Sequence, residues 1–103
     1  MINHYINQYQ DKIEQICRAE DVSYLALFGS FARQEEQSNS DIDMLYDFDD
    51  TVSDKKSLMD VVHLKQKLED VLKRPVDVVS RSHIKPRLKP YIMQDLIPIY
   101  EKR

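Results

Sequence analysis

Asp41 and Asp43, separated by one apolar residue, follow the dipeptide Gly29-Ser30 after a gap of ten residues. Gly29 is the single glycine in 103 residues. On an extended strand the two carboxylates share one face about 6.5 Å apart, twice the rise of about 3.3 Å per residue. Brought to about 4 Å, two like charges repel by about 4 kcal/mol at an effective dielectric near 20. A cation, a proton or solvent has to offset that repulsion. Magnesium suits the first role, because it takes carboxylate oxygens and leaves positions for substrate phosphates. Asp77, the one polar residue of "VDVV", offers a third carboxylate, and three would complete a two-metal site for phosphoryl displacement. Gly29 and Ser30 would then supply backbone N–H groups and a hydroxyl to hold phosphates at a helix start.

Each piece alone has an ordinary explanation. An Asp-x-Asp pair is commonly a solvated strand face, and Gly-Ser is a common turn dipeptide. A calcium EF-hand loop would require Gly where Tyr46 stands and Glu where Val52 stands. A Walker phosphate loop would require a second glycine followed by Lys-Ser or Lys-Thr. The combination carries the reading: strand, Gly-Ser turn, fixed gap, strand with Asp-x-Asp, helix, strand with Asp.

The elements that must position these groups are legible as patterns. Ile2, Tyr5, Ile6, Tyr9, Ile13, Ile16 and Cys17 recur at spacings of three and four, which predicts an amphipathic helix over 2–20. "SYLALF" (23–28) is a short buried strand ended by Gly29, where the turn needs positive φ or close approach of another group. In "DIDMLYDF" (41–48), Ile42, Met44, Tyr46 and Phe48 point one way and Asp41, Asp43 and Asp47 the other. A second helix is expected over 54–72, with Leu58, Val61, Val62, Leu68, Val71 and Leu72 inward. A third strand follows over 74–80, its start marked by Pro75. In the tail, Pro86 and Pro90 limit helix to short pieces, and "IPIYE" reads as an edge strand. The tyrosines read mostly as core, Arg33 as one half of a surface ion pair, and His63 as structural. The fold class is α/β or α+β, a small mixed sheet with helices packed on it.

"FGSFARQEEQSNSDIDMLY" resembles the Gly-Ser, ten-residue gap, Asp-x-Asp signature of the DNA polymerase beta-like nucleotidyltransferase superfamily. The short chain, the "VDVV" segment and the tail ending "LIPIYE" make it similar to the minimal nucleotidyltransferase branch. That resemblance implies the nucleotidyltransferase fold, ATP as substrate and two Mg2+ ions held by Asp41, Asp43 and Asp77. It also implies that Gly29 and Ser30 bind the β- and γ-phosphates. Members usually carry a second glycine five residues after the first, and here Gln34 stands in its place. The implied reaction is transfer of AMP to an acceptor hydroxyl with release of pyrophosphate.

Little chain remains to build an acceptor pocket, so the acceptor site has to be completed by self-association or a partner. The resemblance implies a HEPN-domain RNase toxin as that partner, a hetero-oligomer, and an antitoxin that adds AMP to a toxin tyrosine. The other reading is a non-catalytic antitoxin that neutralises its partner by forming a complex.

Composition narrows the remainder. A net charge of −3 speaks against a general nucleic-acid binder, so no direct nucleic-acid role is expected. No apolar run approaches about 18 residues, which predicts no membrane span. "MINHYINQYQDK" lacks the pattern of a signal peptide, and the lone Cys17 gives no disulfide framework or cysteine-based zinc site. The expectation is a single cytoplasmic domain over 1–103. Charge is segregated: eight acidic and no basic residues lie between Glu35 and Asp54, and six basic residues against one acid between Lys73 and Lys89. The segment from Arg81 to Lys89, with the short tail helix, is the expected docking surface for a partner.

Overall fold

The computed structural model describes residues 4–102. Helices α1 (His4–Asn7) and α2 (Gln10–Ala19) lead into strand β1 (Val22–Phe28) and the one-turn helix α3 (Gly29–Ala32). Strand β2 (Ile42–Phe48), helix α4 (Leu58–Leu72) and strand β3 (Val76–Ser80) follow. The tail forms helix α5 (Lys89–Gln94) and strand β4 (Ile97–Glu101), and short 3-10 turns cover Ser53–Lys55 and Arg81–His83. The sheet order is β3-β2-β1-β4. β2 and β3 run parallel, joined through α4, while β1 is antiparallel to both β2 and β4.

Period-two alternation decides what each face of the sheet holds. Ile42, Met44, Tyr46 and Phe48 of β2 enter the main core with Val22, Leu25 and Leu27 of β1. Ile13, Ile16 and Cys17 of α2 and Leu64, Leu68 and Leu72 of α4 cover that face. The opposite face carries a smaller cluster of Tyr24, Ala26, Leu45 and Ile92, against which Phe28, Val79, Ile84 and Leu96 pack. Leu45, fully buried there, interrupts the polar side of β2, and the alternation alone does not announce it. α5 is the element that covers it.

Several boundaries differ from the sequence pattern. The first helix is broken at Gln8 and Tyr9, and its expected start at Ile2 lies outside the described residues. Asn7 faces solvent and is a weak helix former. Tertiary contacts hold α1 instead: the Tyr5 hydroxyl donates to the Leu72 carbonyl, and its ring lies 5.9 Å from Phe31. α4 begins four residues later than expected because Ser57 caps it, with the Ser57 N–H donating to Asp60 Oδ2 at 2.8 Å in a reciprocal capping box. Its buried stripe starts one turn further in, so Leu58 and Met59 stay exposed while Leu64 is fully buried. Tyr91 departs from the other tyrosines; it is 73% exposed. β4 is the edge strand expected of "IPIYE".

Gln34 has φ +59. That is the left-handed conformation glycine adopts freely and other residues enter at a cost of about 1–2 kcal/mol. The loop leaving α3 therefore keeps the backbone shape that a glycine would favour. Gln34→Gly should stabilise the protein by up to about 1 kcal/mol, glycine's extra unfolded-state entropy offsetting part of the relief. For a domain of this size each kcal/mol moves Tm by about 4–8 °C, which a thermal melt resolves. An unchanged or lower Tm would mean that the loop does not hold this conformation in solution.

Candidate active site

The strand register brings the sequence-predicted residues to one end of the sheet. Phe28 pairs with Asp43 across β1 and β2, and Asp43 pairs with Asp77 across β2 and β3. Gly29 follows Phe28 directly and opens α3. Phe28, Asp43 and Asp77 thus form a row across three strands, with the Gly-Ser turn at one end. Asp41 lies just before β2, and as the residue two before Asp43 it belongs to the same face.

The glycine is required twice over. Its φ is +74, and a Cβ at this position would overlap the Asp43 carboxylate, Oδ2 being the nearest atom. The absent side chain is what lets a carboxylate lie against the backbone of the turn. Helix starts leave their first N–H groups without intrahelical acceptors, and the Asp43 carboxylate lies beside the start of α3 at Gly29.

Asp43 is half-buried, whereas Asp41 and Asp77 are exposed. Burial, then the charge of Asp77, then that of Asp41 push the Asp43 carboxyl above its ordinary value of 3.8, and Arg33 opposes them. The carboxylates therefore sense one another, and the polar face of β2 is no ordinary solvated surface. Among the described residues no three His, Cys, Asp or Glu side chains are drawn together into a finished metal cage. The donor set nevertheless fits a hard divalent cation in kind: carboxylate oxygens on adjacent strands, mutually repelling, beside a turn without a side chain.

Asp43 and Asp77 line a cleft of about 560 Å3 that runs along β3 to α5, with Phe28, Ile84, Leu88 and Tyr91 as its apolar wall. His83 and Lys85 also border it. A hollow of about 540 Å3 beside β4 is lined by Glu14, Arg18 and residues 99–102 and contains none of the three aspartates.

Other side chains hold this arrangement, and spacing gave no sign of most of them. Arg74 donates to the carbonyls of Gln37, Ser38 and Ser40 at 3.1, 3.3 and 2.9 Å. Its guanidinium lies over the rings of Phe31 and Tyr5, 5.1 and 5.3 Å from their centroids. Arg74 thus clamps the loop between α3 and Asp41, and it is not the partner of Asp77. Arg33 bridges Glu35 at 2.6 Å and Asp95 at 3.0 Å, tying the end of α3 to the end of α5. That is the ion pair expected of Arg33. Arg81 is engaged as well: it lies 4.1 Å from the centroid of the Tyr24 ring and bonds Asp47 at 2.9 Å. Lys85, Arg87 and Lys89 form no ion pair among the described residues.

Comparison with known proteins identifies the family and the fold. A model of the family described as Polymerase beta, Nucleotidyltransferase matches residues 11–103. "Putative protein adenylyltransferase MJ0435" of Methanocaldococcus jannaschii is 39% identical over 94 residues, spanning 91% of this chain and 97% of that protein. A solved chain described as "Structure of putative minimal nucleotidyltransferase" superposes with a TM-score of 0.77 at 30% identity, covering 95% of this chain and 96% of that one. A chain of the complex of tri-AMPylated Shewanella oneidensis HEPN toxin with MNT antitoxin superposes with a TM-score of 0.67, covering 93% of this chain and 72% of its own. At 21% identity that last likeness is one of fold. With residues 11–103 matched by that family, the chain belongs to the polymerase beta nucleotidyltransferase family.

Proposed function

We propose that this nucleotidyltransferase is a protein adenylyltransferase, transferring AMP from ATP to a tyrosine hydroxyl of a HEPN-domain toxin and thereby acting as its antitoxin. The observation that carries the reading is the row Phe28–Asp43–Asp77 with Gly29 at its end. It sets a turn with no side chain at position 29 directly against mutually repelling carboxylates. The names of the relatives supply the acceptor class: an adenylyltransferase of proteins, and an AMPylated HEPN toxin bound to an MNT antitoxin.

Gly29 and Ser30 hold the β- and γ-phosphates through backbone N–H groups and the Ser30 hydroxyl. Asp41, Asp43 and Asp77 hold two Mg2+ ions, which when bound neutralise the phosphate charge. Asp77, on the side of Asp43 away from the Gly-Ser turn, receives the proton of the acceptor hydroxyl. The acceptor enters along the cleft toward α5, opposite the phosphates. Docking falls to the exposed cations Lys85, Arg87 and Lys89. Arg81, held by Asp47 and Tyr24, contributes to the fold instead. The cytoplasm suits an ATP-dependent reaction of this kind. Among the described residues no helix is long and apolar enough to cross a membrane.

The non-catalytic alternative draws its support from Gln34. The left-handed backbone at that residue weakens the support, because the loop retains the glycine-like conformation.

Co-expression with the HEPN partner and intact-mass measurement test the reading directly. The toxin should gain one or more AMP units, and none with Asp43→Asn or Asp77→Asn, while circular dichroism stays unchanged. An unmodified toxin in a stable complex would establish the non-catalytic alternative.

Asp43 also has a thermodynamic signature. Its raised pKa means that the folded chain holds the proton more tightly than the unfolded chain does. Stability therefore falls as pH rises from the unfolded value of 3.8 through the folded one. Without metal, Asp43→Asn should melt above wild type at pH 7, and the gap should close as pH drops below 3.8. A variant that melts lower at pH 7 would assign Asp43 a structural role.

Charge reversal at Arg87 and Lys89 should weaken toxin association and flatten its salt dependence, read by titration at two ionic strengths. Unaltered affinity would remove this segment from the interface.

A further inference from the structure

All six tyrosines are described, and five are spoken for. The Tyr5 hydroxyl donates to Leu72, Tyr24 lies buried under Arg81, and Tyr46 is buried and hydrogen-bonded to Ser80. Tyr9 and Tyr100 are half-buried against the helix-covered core, on the face opposite the aspartates. Tyr91 is 73% exposed, makes no hydrogen bond among the described residues, and lines the cleft that Asp43 and Asp77 also line.

Its backbone is nonetheless fixed. Neighbouring Ile92 is 8% exposed in the cluster of Tyr24, Ala26 and Leu45, and Leu96 packs against the same cluster. Asp95, at the end of α5, is bridged to Arg33. Pro90 lies in the first turn of α5, where its restricted φ suits the start of a helix. A phenol on an anchored backbone, with only its side-chain torsions free, thus borders the same cleft as Asp43 and Asp77 of its own chain. The ordering entropy such a group loses on reaching a nearby reacting centre is small compared with that of a separate molecule.

We infer that Tyr91 is a built-in acceptor: without a partner, the chain transfers AMP from a nucleoside triphosphate to its own Tyr91 hydroxyl. This rests on the nucleotidyl-transfer reading of the site. The Tyr91 Oη forms a bond to the α-phosphorus, and the bond from that phosphorus to the oxygen bridging to the β-phosphate breaks. Pyrophosphate leaves with the electron pair, and the phenolic proton passes to a cleft carboxylate and then to water. Attacking and leaving oxygens stand roughly in line in such displacements. In this reading the phosphates lie at Gly29 and the nucleophile comes from the α5 side of the cleft. A partner seated along the cleft would cover Tyr91 and bring its own tyrosine in its place, so self-labelling reports the unpartnered state.

The test is incubation of the purified full chain with Mg2+ and α-labelled ATP, read by intact mass and peptide mapping, alone and with HEPN toxin added. The expected results are a gain of one AMP on the peptide containing Tyr91, at a fractional rate independent of protein concentration. The label should be absent from Tyr91→Phe and Asp43→Asn and should fall when toxin is present. Tyr91→Phe keeps the aromatic ring, so persistent self-labelling in that variant would overturn the inference. So would a label mapped to another residue, or a rate that rises with protein concentration. Wild-type mapping keeps the test decisive even if Tyr91→Phe melts early. A labelled toxin beside an unlabelled chain would overturn this inference alone, whereas no label on either protein would count against the adenylyltransferase reading itself.

Discussion

The alternation of β2 is the constraint on which the site depends. Ile42, Met44, Tyr46 and Phe48 are buried against α2 and α4, so the odd-numbered residues have no choice but to face the other way. A slip of one residue would move four apolar side chains into solvent and three aspartates into the core. Burying the four side chains together stabilises by roughly 6–12 kcal/mol, more than the roughly 4 kcal/mol by which one close carboxylate pair on the opposite face repels. The helix-covered core therefore sets the register that places Asp43 beside Asp77 and Phe28. The juxtaposition of these carboxylates is a by-product of hydrophobic packing on the reverse side of the same strands.

Local backbone chemistry then refines what the register sets coarsely. Gly29 turns the chain out of β1 with φ +74 and leaves the space that Asp43 occupies. Gln34 takes the left-handed conformation a few residues later, and Arg74 gathers the carbonyls of residues 37, 38 and 40. The loop from α3 to Asp41 is thus held at its beginning, middle and end. The clamp comes from Arg74, two residues before the start of β3, so the loop before one carboxylate and the strand bearing another are coupled through it.

The site opposes stability locally. A half-buried carboxylate with two like neighbours is costly when nothing neutralises it. The opposite face of the sheet tolerates that cost because its core is extensive. Across the polar face, α5 is anchored by Ile92 and Leu96 but leaves Leu88, Tyr91 and Met93 exposed. One end of the cleft is charged, and its wall is apolar and open to solvent.

The sequence by itself determined the order of the strands and main helices and which residues could carry chemistry. Period-two alternation, a single glycine, the ten-residue gap to Asp41 and the lone polar residue in "VDVV" are local patterns, and local patterns follow from backbone sterics and hydrophobic periodicity. The apolar pattern of the tail also foretold the edge strand. Tertiary structure alone decided which strands are neighbours, and so that Asp77 stands opposite Asp43 at all. It also decided that Leu45 and Ile92 share a second cluster, that Arg74 serves the loop and not Asp77, and that Tyr91 is exposed in the cleft while Leu58 is exposed elsewhere. These depend on contacts between residues far apart in the chain, where no periodicity carries information; packing free energy summed over the whole domain chooses among the partners.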